Sequence, residues 1–306
     1  MGQLIPIRGT HLWVEDLGRS HQPVILYVHG GPGSGAYDFV FYQGKRLASL
    51  VRLIAVDQRG VLRSDPLGSG RLHVRDLVED MDALRVTLGI SRWSLIGHSF
   101  GGYLAVLYAK TYPLAIDRLI LENPSFDLAA SARSLLQKVS LQYAAMGNQD
   151  KAYTCLDIAY NTSLDSRSTW EYFSQLSNAL GPLRDNLYVQ GPDKQFFQRL
   201  VKDSSFPPDW WARGAQHQSA LYDEGTIFES LIPNLSRIAH PTLLIRGYYD
   251  AVFGLDQLWQ YRHAKPDTNL VVAAESSHFV HVEEPELFAT AVANYLNSKP
   301  RTITPS

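Results

Sequence analysis

The stretch SLIGHSFGG, residues 94–102, runs without a break from an apolar segment through a glycine-framed serine into a helical pattern. Gly97-His98-Ser99-Phe100-Gly101 has the form G-x-S-x-G, a strained strand-to-helix turn that lifts a serine hydroxyl off the end of a sheet. Side chains two residues to either side of Ser99 would clash with that turn, which accounts for the two glycines. Ser99 also stands at the start of the next helix, where unpaired N–H groups and the helix dipole favour negative charge. Alone, the five-residue pattern occurs in many glycine-rich turns; the strand before it and the helix after it make it informative.

Working outward, short apolar runs recur at Val24–Val28, Leu53–Val56, Leu119–Leu121, Thr242–Ile245 and Leu270–Val272. Each is near-continuously apolar rather than alternating, which predicts strands covered on both faces. Helical patterns fall between them. In residues 71–89 the positions Val74, Leu77, Val78, Met81, Leu84 and Leu88 step by three and four, and Gly89 ends the run. Residues 102–113 form an apolar helix stopped before Pro113, and residues 285–297 begin with Pro285 at a first-turn position. This alternation predicts the α/β class, a mainly parallel sheet flanked by helices.

From 124 to 238 the alternation stops. Helix-like segments follow one another, punctuated by Gly181-Pro182, Gly191-Pro192 and Pro207-Pro208. A stretch of this length is too long for a loop in a compact domain. It predicts a helical insertion capping the carboxyl edge of the sheet, where open parallel sheets bind ligands. Residues 1–123 and 239–306 are then the core, and 124–238 the cap.

The bulk properties narrow the function. The chain has 306 residues, 45% hydrophobic, with 28 basic and 30 acidic side chains and a formal net charge of -2. Without a basic run, neither a nucleic-acid partner nor an anionic membrane surface is expected. A single cysteine, Cys155, rules out an internal disulfide framework and suits a reducing cytosol; it reads as a small buried hydrophobe. The first residues lack the pattern of a secretory signal, and no apolar run is long enough to span a bilayer, so a cytoplasmic protein is expected.

A serine needs a base, and the base needs an orienting group. On this fold the order is serine, acid, histidine. Asp250 follows the apolar run beginning at Thr242, and His278 follows the run ending near Ala273. Glu122 and Asp127 are rival acids, and His281 is a rival base expected to pack or bond locally. His29-Gly30-Gly31-Pro32-Gly33 ends an earlier strand. An oxyanion hole needs one N–H from the residue after the nucleophile, Phe100, and one from such a loop, for which Gly31 is the candidate. The phosphate-cradle alternative lacks both G-x-x-x-x-G-K-[ST] and G-x-G-x-x-G. His29 and His98 are expected to brace the structure. The chemistry calls for no cofactor and no metal, and no H-E-x-x-H is present.

With these motifs the chain resembles the α/β-hydrolase superfamily over nearly its whole length. HGGPG followed by Asp57-Gln58-Arg59-Gly60 resembles the proline iminopeptidase branch. The resemblance implies Ser99 as nucleophile, Asp250 and His278 as its partners, Gly31 and Phe100 as oxyanion donors, and Asp57, Gln58 and Arg59 as support for the oxyanion loop. A small molecule or short peptide is the expected substrate. Three departures weigh against a simple transfer of substrate: Leu62 in place of a glycine, G-H-S-F-G in place of G-G-S-W-G, and Trp210-Trp211-Ala212-Arg213 where a glutamate follows a tryptophan. Asp223, Glu224 and Glu229 are nearby carboxylates, each expected on a solvated helix face. The aromatics Tyr153, Tyr160, Trp170, Tyr172, Phe173, Trp210 and Trp211 would suit a pocket for an uncharged substrate, though each is expected in the cap core ahead of the pocket. An aminopeptidase acting on N-terminal proline is the first expectation. An esterase, lactonase or amidase on an uncharged substrate is the second, and a ligand-binding protein of this fold without turnover is the third.

Overall fold

The computed structural model describes residues 2–68, 70–190 and 196–298. Six strands carry the expected core: β3 (Val24–Val28), β4 (Arg52–Asp57), β5 (Trp93–His98), β6 (Ile116–Glu122), β7 (Thr242–Gly247) and β8 (Asn269–Ala273). Two more, β1 (Gly2–Ile7) and β2 (Thr10–Leu17), precede them. Together they form one eight-stranded sheet in the order β1-β2-β4-β3-β5-β6-β7-β8. β1 and β2 are antiparallel additions at one edge; β4 through β8 pair in parallel.

The central strands follow the apolar runs. Every residue of β5 and β7 is buried, as a strand covered by helices on both faces requires. β8 differs from expectation: its residues alternate, with Leu270 and Val272 exposed. Its position at the sheet edge leaves one face uncovered. β1 and β2 escape the search for continuous runs because only Ile5, Ile7, Leu12 and Val14 turn inward.

The flanking helices are α1 (Tyr37–Ala48), α2 (Val74–Thr87), α3 (Phe100–Thr111), α9 (Leu255–Ala264), α10 (Val280–Glu283) and α11 (Pro285–Asn297). One apolar layer gathers α2 and α3 with Leu95, Leu104 and Leu121 on one face; the other gathers Phe39, Ile96, Ile120 and Phe288. At roughly 1.5–3 kcal/mol per fully buried large apolar side chain, these layers are the main stabilising term.

Between β6 and β7 the described residues are helical. α4 (Leu128–Ala145), α5 (Gln149–Tyr160), α6 (Ser166–Asn178), α7 (Phe196–Ser204) and α8 (Pro208–Glu224) follow one another, with a 3₁₀ turn at Gly181–Leu187. Gly191 and Pro192 lie outside the described residues. α4, α5 and α6 share a separate core that holds Leu135, Val139, Cys155 and Phe173. Asp127 N-caps α4 through the Ala130 N–H at 2.9 Å. Among the described residues no helix is long and apolar enough to cross a membrane.

α8 lies against the loops that follow β3 and β4. The Arg213 guanidinium donates to Leu62 O and Ser64 O, each at 2.8 Å. His217, kept neutral by burial, which lowers its pKa to about 3, donates from Nδ1 to Arg59 O at 2.9 Å. At the tightest point the two backbones touch: a Cβ on Gly214 would lie 2.5 Å from Gly33 O. Gly214→Ala should therefore push α8 off the HGGPG loop and cost about 1–3 kcal/mol in urea unfolding. Wild-type stability in that variant would mean the two backbones are not in contact.

Candidate active site

The turn after β5 is built around an unfavourable backbone. Ser99 has φ 55° and ψ -121°, a conformation that L-residues adopt only where neighbours enforce it. The enforcement is visible. Ser99 N–H donates to Glu122 O at 3.0 Å, and Ser99 O accepts from Gly102 N and Ser125 N. Gly101 is obligatory for a second reason: a Cβ there would sit 1.9 Å from Val28 O, at the end of β3. Phe100 opens α3, so its N–H has no acceptor within the helix.

Asp250, after β7, and His278, after β8, meet at the ends of their strands. His278 Nδ1 lies 2.9 Å from Asp250 Oδ1, and both side chains are buried. The carboxylate also accepts from Val252 N at 3.0 Å and Phe253 N at 2.8 Å. Burial raises the Asp250 carboxyl, but the imidazole and these two N–H groups outweigh it and hold the acid below its ordinary range. With Nδ1 donating to Asp250, Nε2 of His278 is left as a proton acceptor.

Ser99, Phe100, Gly31 and His278 line one cavity of about 420 Å³, to which the segment between β6 and β7 contributes Trp170, Arg184, Tyr188 and Phe197. The HGGPG loop reaches the serine by close approach: a Cβ on Gly30 would be 2.8 Å from Ser99 Cβ. Gly31 has φ +110°, outside the range of ordinary L-residues, and its bond to Pro32 is cis. Behind the loop, Gln58 N–H donates to His29 Nε2 at 3.0 Å and Gln58 Nε2 donates to His29 O at 3.0 Å. Asp57 accepts from Ala36 N at 2.8 Å and from Arg63 Nε at 2.7 Å. Arg59 pairs with Asp80 instead.

The rival residues form a network of their own. Glu122 Oε2 is 2.9 Å from His281 Nδ1, and Asp38 Oδ2 is 3.5 Å from His281 Nε2, an ion-pair rather than a hydrogen-bond separation. His281 thus bonds across the sheet to β6, not locally as expected. Burial disfavours its cation, yet the two carboxylates raise its pKa to about 10 and hold their own carboxyls below the ordinary range. His98 lies 3.4 Å from Glu122 and its ring centroid is 4.6 Å from that of His278, the two planes tilted by 49°; burial lowers its pKa. Donor atoms of His98, Glu122 and His281 fall within 4.8 Å of one another. The 2.9 Å contact between Glu122 and His281 makes this arrangement an ion-pair cluster.

Several residues with a bearing on the site carry no sequence motif. Asn123 donates from Nδ2 to Ser277 O at 3.0 Å and His278 O at 2.9 Å, while its Oδ1 accepts from Gly247 N at 3.0 Å. It ties the loop bearing Asp250 to the loop bearing His278. Lys138 of α4 donates to Leu187 O at 2.9 Å and Tyr249 O at 3.3 Å. Tyr188 O accepts from His278 N at 2.9 Å.

The other expectations divide. Of the seven aromatics only Trp170 lines the cavity; Phe173 is buried, and Tyr153, Tyr160 and Tyr172 are exposed. Glu224 is not on a solvated face: its carboxylate accepts from Thr226 N and Oγ1 and closes the end of α8. Leu62 and Arg213, both departures from the family pattern, meet in one hydrogen bond.

The pH dependence of the cluster follows from its proton balance. A folded His281 keeps its proton to about pH 10, whereas an unfolded histidine releases it near 6.5, so this contribution is complete below 6.5 and lost on approaching pH 10. Glu122 contributes above its ordinary value of 4.5 and loses that contribution in acid. Glu122→Gln should destabilise the fold by about 3 kcal/mol or more near neutrality, because it strands a buried cation. Urea titrations at rising pH should show the deficit shrink towards pH 10; a constant deficit would mean that no His281 cation is involved.

Comparison with known proteins finds relatives of this chain. Residues 23–285 match the family model described as alpha/beta hydrolase fold. Proline iminopeptidase of Neisseria meningitidis serogroup B is 33% identical over 279 residues, covering 85% of this chain and 84% of that protein. A probable proline iminopeptidase of Leptolyngbya boryana is 26% identical over 294 residues, covering 90% and 87%. Among solved structures, a proline iminopeptidase-related protein of Thermus thermophilus superposes with a TM-score of 0.71 at 21% identity, covering 97% of this chain and 96% of that one.

Proposed function

The chain belongs to the α/β-hydrolase family and is related to proline iminopeptidases, and from that premise we propose a serine hydrolase that removes N-terminal proline or a similar residue from short peptides. The observation that carries this reading is the hydrogen-bonded pair Asp250–His278 on the wall of the cavity that Ser99 also lines. The names of the relatives favour an aminoacyl substrate, and a cavity of about 420 Å³ suits a molecule of a few residues.

In the proposed reaction Ser99 Oγ attacks the carbonyl carbon as His278 Nε2 takes its proton. The N–H groups of Gly31 and Phe100 donate to the oxyanion. The C–N bond breaks as His278 returns the proton to the leaving amine. Water then repeats the sequence on the acyl-serine, releasing the acid and restoring the hydroxyl. Asp250 holds the imidazole tautomer and offsets its transient charge. Residues 124–238 act as a cap that closes this site.

Two measurements test the reading. Turnover of proline anilide should exceed that of a short-chain nitrophenyl ester, and Ser99→Ala should lose both by several orders of magnitude while keeping its fold by circular dichroism. Wild-type turnover in Ser99→Ala would sink the assignment. Asn123→Ala, which frees the two partner loops, should slow fluorophosphonate labelling of Ser99 by about 10–100-fold. An unchanged labelling rate would show that Asn123 does not position the pair.

A further inference from the structure

Charged groups at a buried site are ordinarily paired, because an unpaired one gives up hydration without return. Around the cavity that rule holds for Asp250 and Lys138, whose partners are given above. It fails for Arg184. This residue lines the cavity from the 3₁₀ turn Gly181–Leu187, and its Nε is buried with no hydrogen-bond partner. Its guanidinium makes no salt bridge among the described residues and approaches the Tyr188 ring at 5.4 Å. Asp185, next in the chain, lines the same cavity and is acted on by the Arg184 charge, but forms no salt bridge with it.

Two contacts bound the position of Arg184 relative to the histidine. The Tyr188 ring lies 5.9 Å from the His278 ring, and Tyr188 O accepts the His278 N–H at 2.9 Å. The Tyr188 ring thus neighbours both the guanidinium and the imidazole, and its carbonyl ties the residue after the turn to the histidine loop. The two ring distances bound the span from above, and once hydrogen-bond lengths are taken from each end there is room for at most about one residue of extended chain. The planar fork of an arginine matches a carboxylate and forms charge-assisted hydrogen bonds with it.

We propose that Arg184 binds a carboxylate of the substrate one residue beyond the scissile carbonyl, so that the preferred substrates are dipeptides with a free C-terminus. This rests on the aminopeptidase reading for the word dipeptide, and on Arg184 alone for the carboxylate. The pair orients the peptide along the cavity and discriminates against amidated or longer chains, whose neutral amide would leave the guanidinium unpaired.

The test compares prolylglycine with prolylglycinamide in wild type, Arg184→Met and Arg184→Lys. Wild type should favour the free acid in kcat/KM by about tenfold or more. Arg184→Met should lose the preference, with fluorophosphonate labelling of Ser99 within about twofold of wild type, and Arg184→Lys should keep part of it. Cleavage of both peptides by wild type with equal kcat/KM, or a preference that survives in Arg184→Met, overturns the proposal. Calorimetry with succinate and its diamide separates this from the reading beneath it. If neither peptide is cleaved but succinate alone binds, and binds only with Arg184 present, the aminopeptidase reading fails and the carboxylate site stands. If succinate shows no Arg184-dependent binding, the carboxylate site fails whatever the enzyme hydrolyses.

Discussion

Everything at the candidate site depends on the backbone of Ser99. A non-glycine residue at φ 55° is unfavourable by about 1–3 kcal/mol and persists only where surrounding structure over-determines it. Three backbone hydrogen bonds and the clearance at Gly101 supply that determination. The result is a hydroxyl at a sheet edge with an unpaired helix N–H next to it. Gly30 brings the HGGPG loop against the same serine, so two chain segments distant in sequence converge on one atom.

A second layer lies beneath. The cluster of Asp38, His281, Glu122 and His98 connects α1, α10, β6 and β5, and its His98 ring packs at a tilt against His278. Glu122 serves twice: its carbonyl anchors Ser99 and its carboxylate anchors His281. A buried ion pair of this kind is weak evidence for net stability but strong evidence for a defined geometry, because breaking it on one side strands a charge. The two histidines near residue 280 consequently have different duties despite their shared surroundings: one pairs with the loop acid, the other with the strand acid.

What was legible in the sequence was what local chemistry dictates. G-H-S-F-G between a strand and a helix, Asp250 after β7 and His278 after β8 each follow from neighbours within a few residues, and the parallel core follows from its unbroken apolar runs. β1 and β2 were not legible because an antiparallel edge pair needs only every second side chain to be apolar. Asn123, Lys138 and Arg184 were not legible either. The partners of Asn123 and Lys138 lie far along the chain, and an arginine in a polar turn carries no local signature. The reassignment of Glu224 has another cause: its partner Thr226 is two residues away, and the bond forms only because α8 ends at Gly225.

The contact between Gly33 and Gly214 has a consequence for how this protein can be rebuilt. An interface of backbone against backbone offers no side chain to resize, so neither half can compensate for a change in the other. Transplanting the helical segment from a relative would succeed only if a glycine arrived at the matching place in the incoming helix. The two segments are in effect one inherited part, divided in the sequence and joined in space.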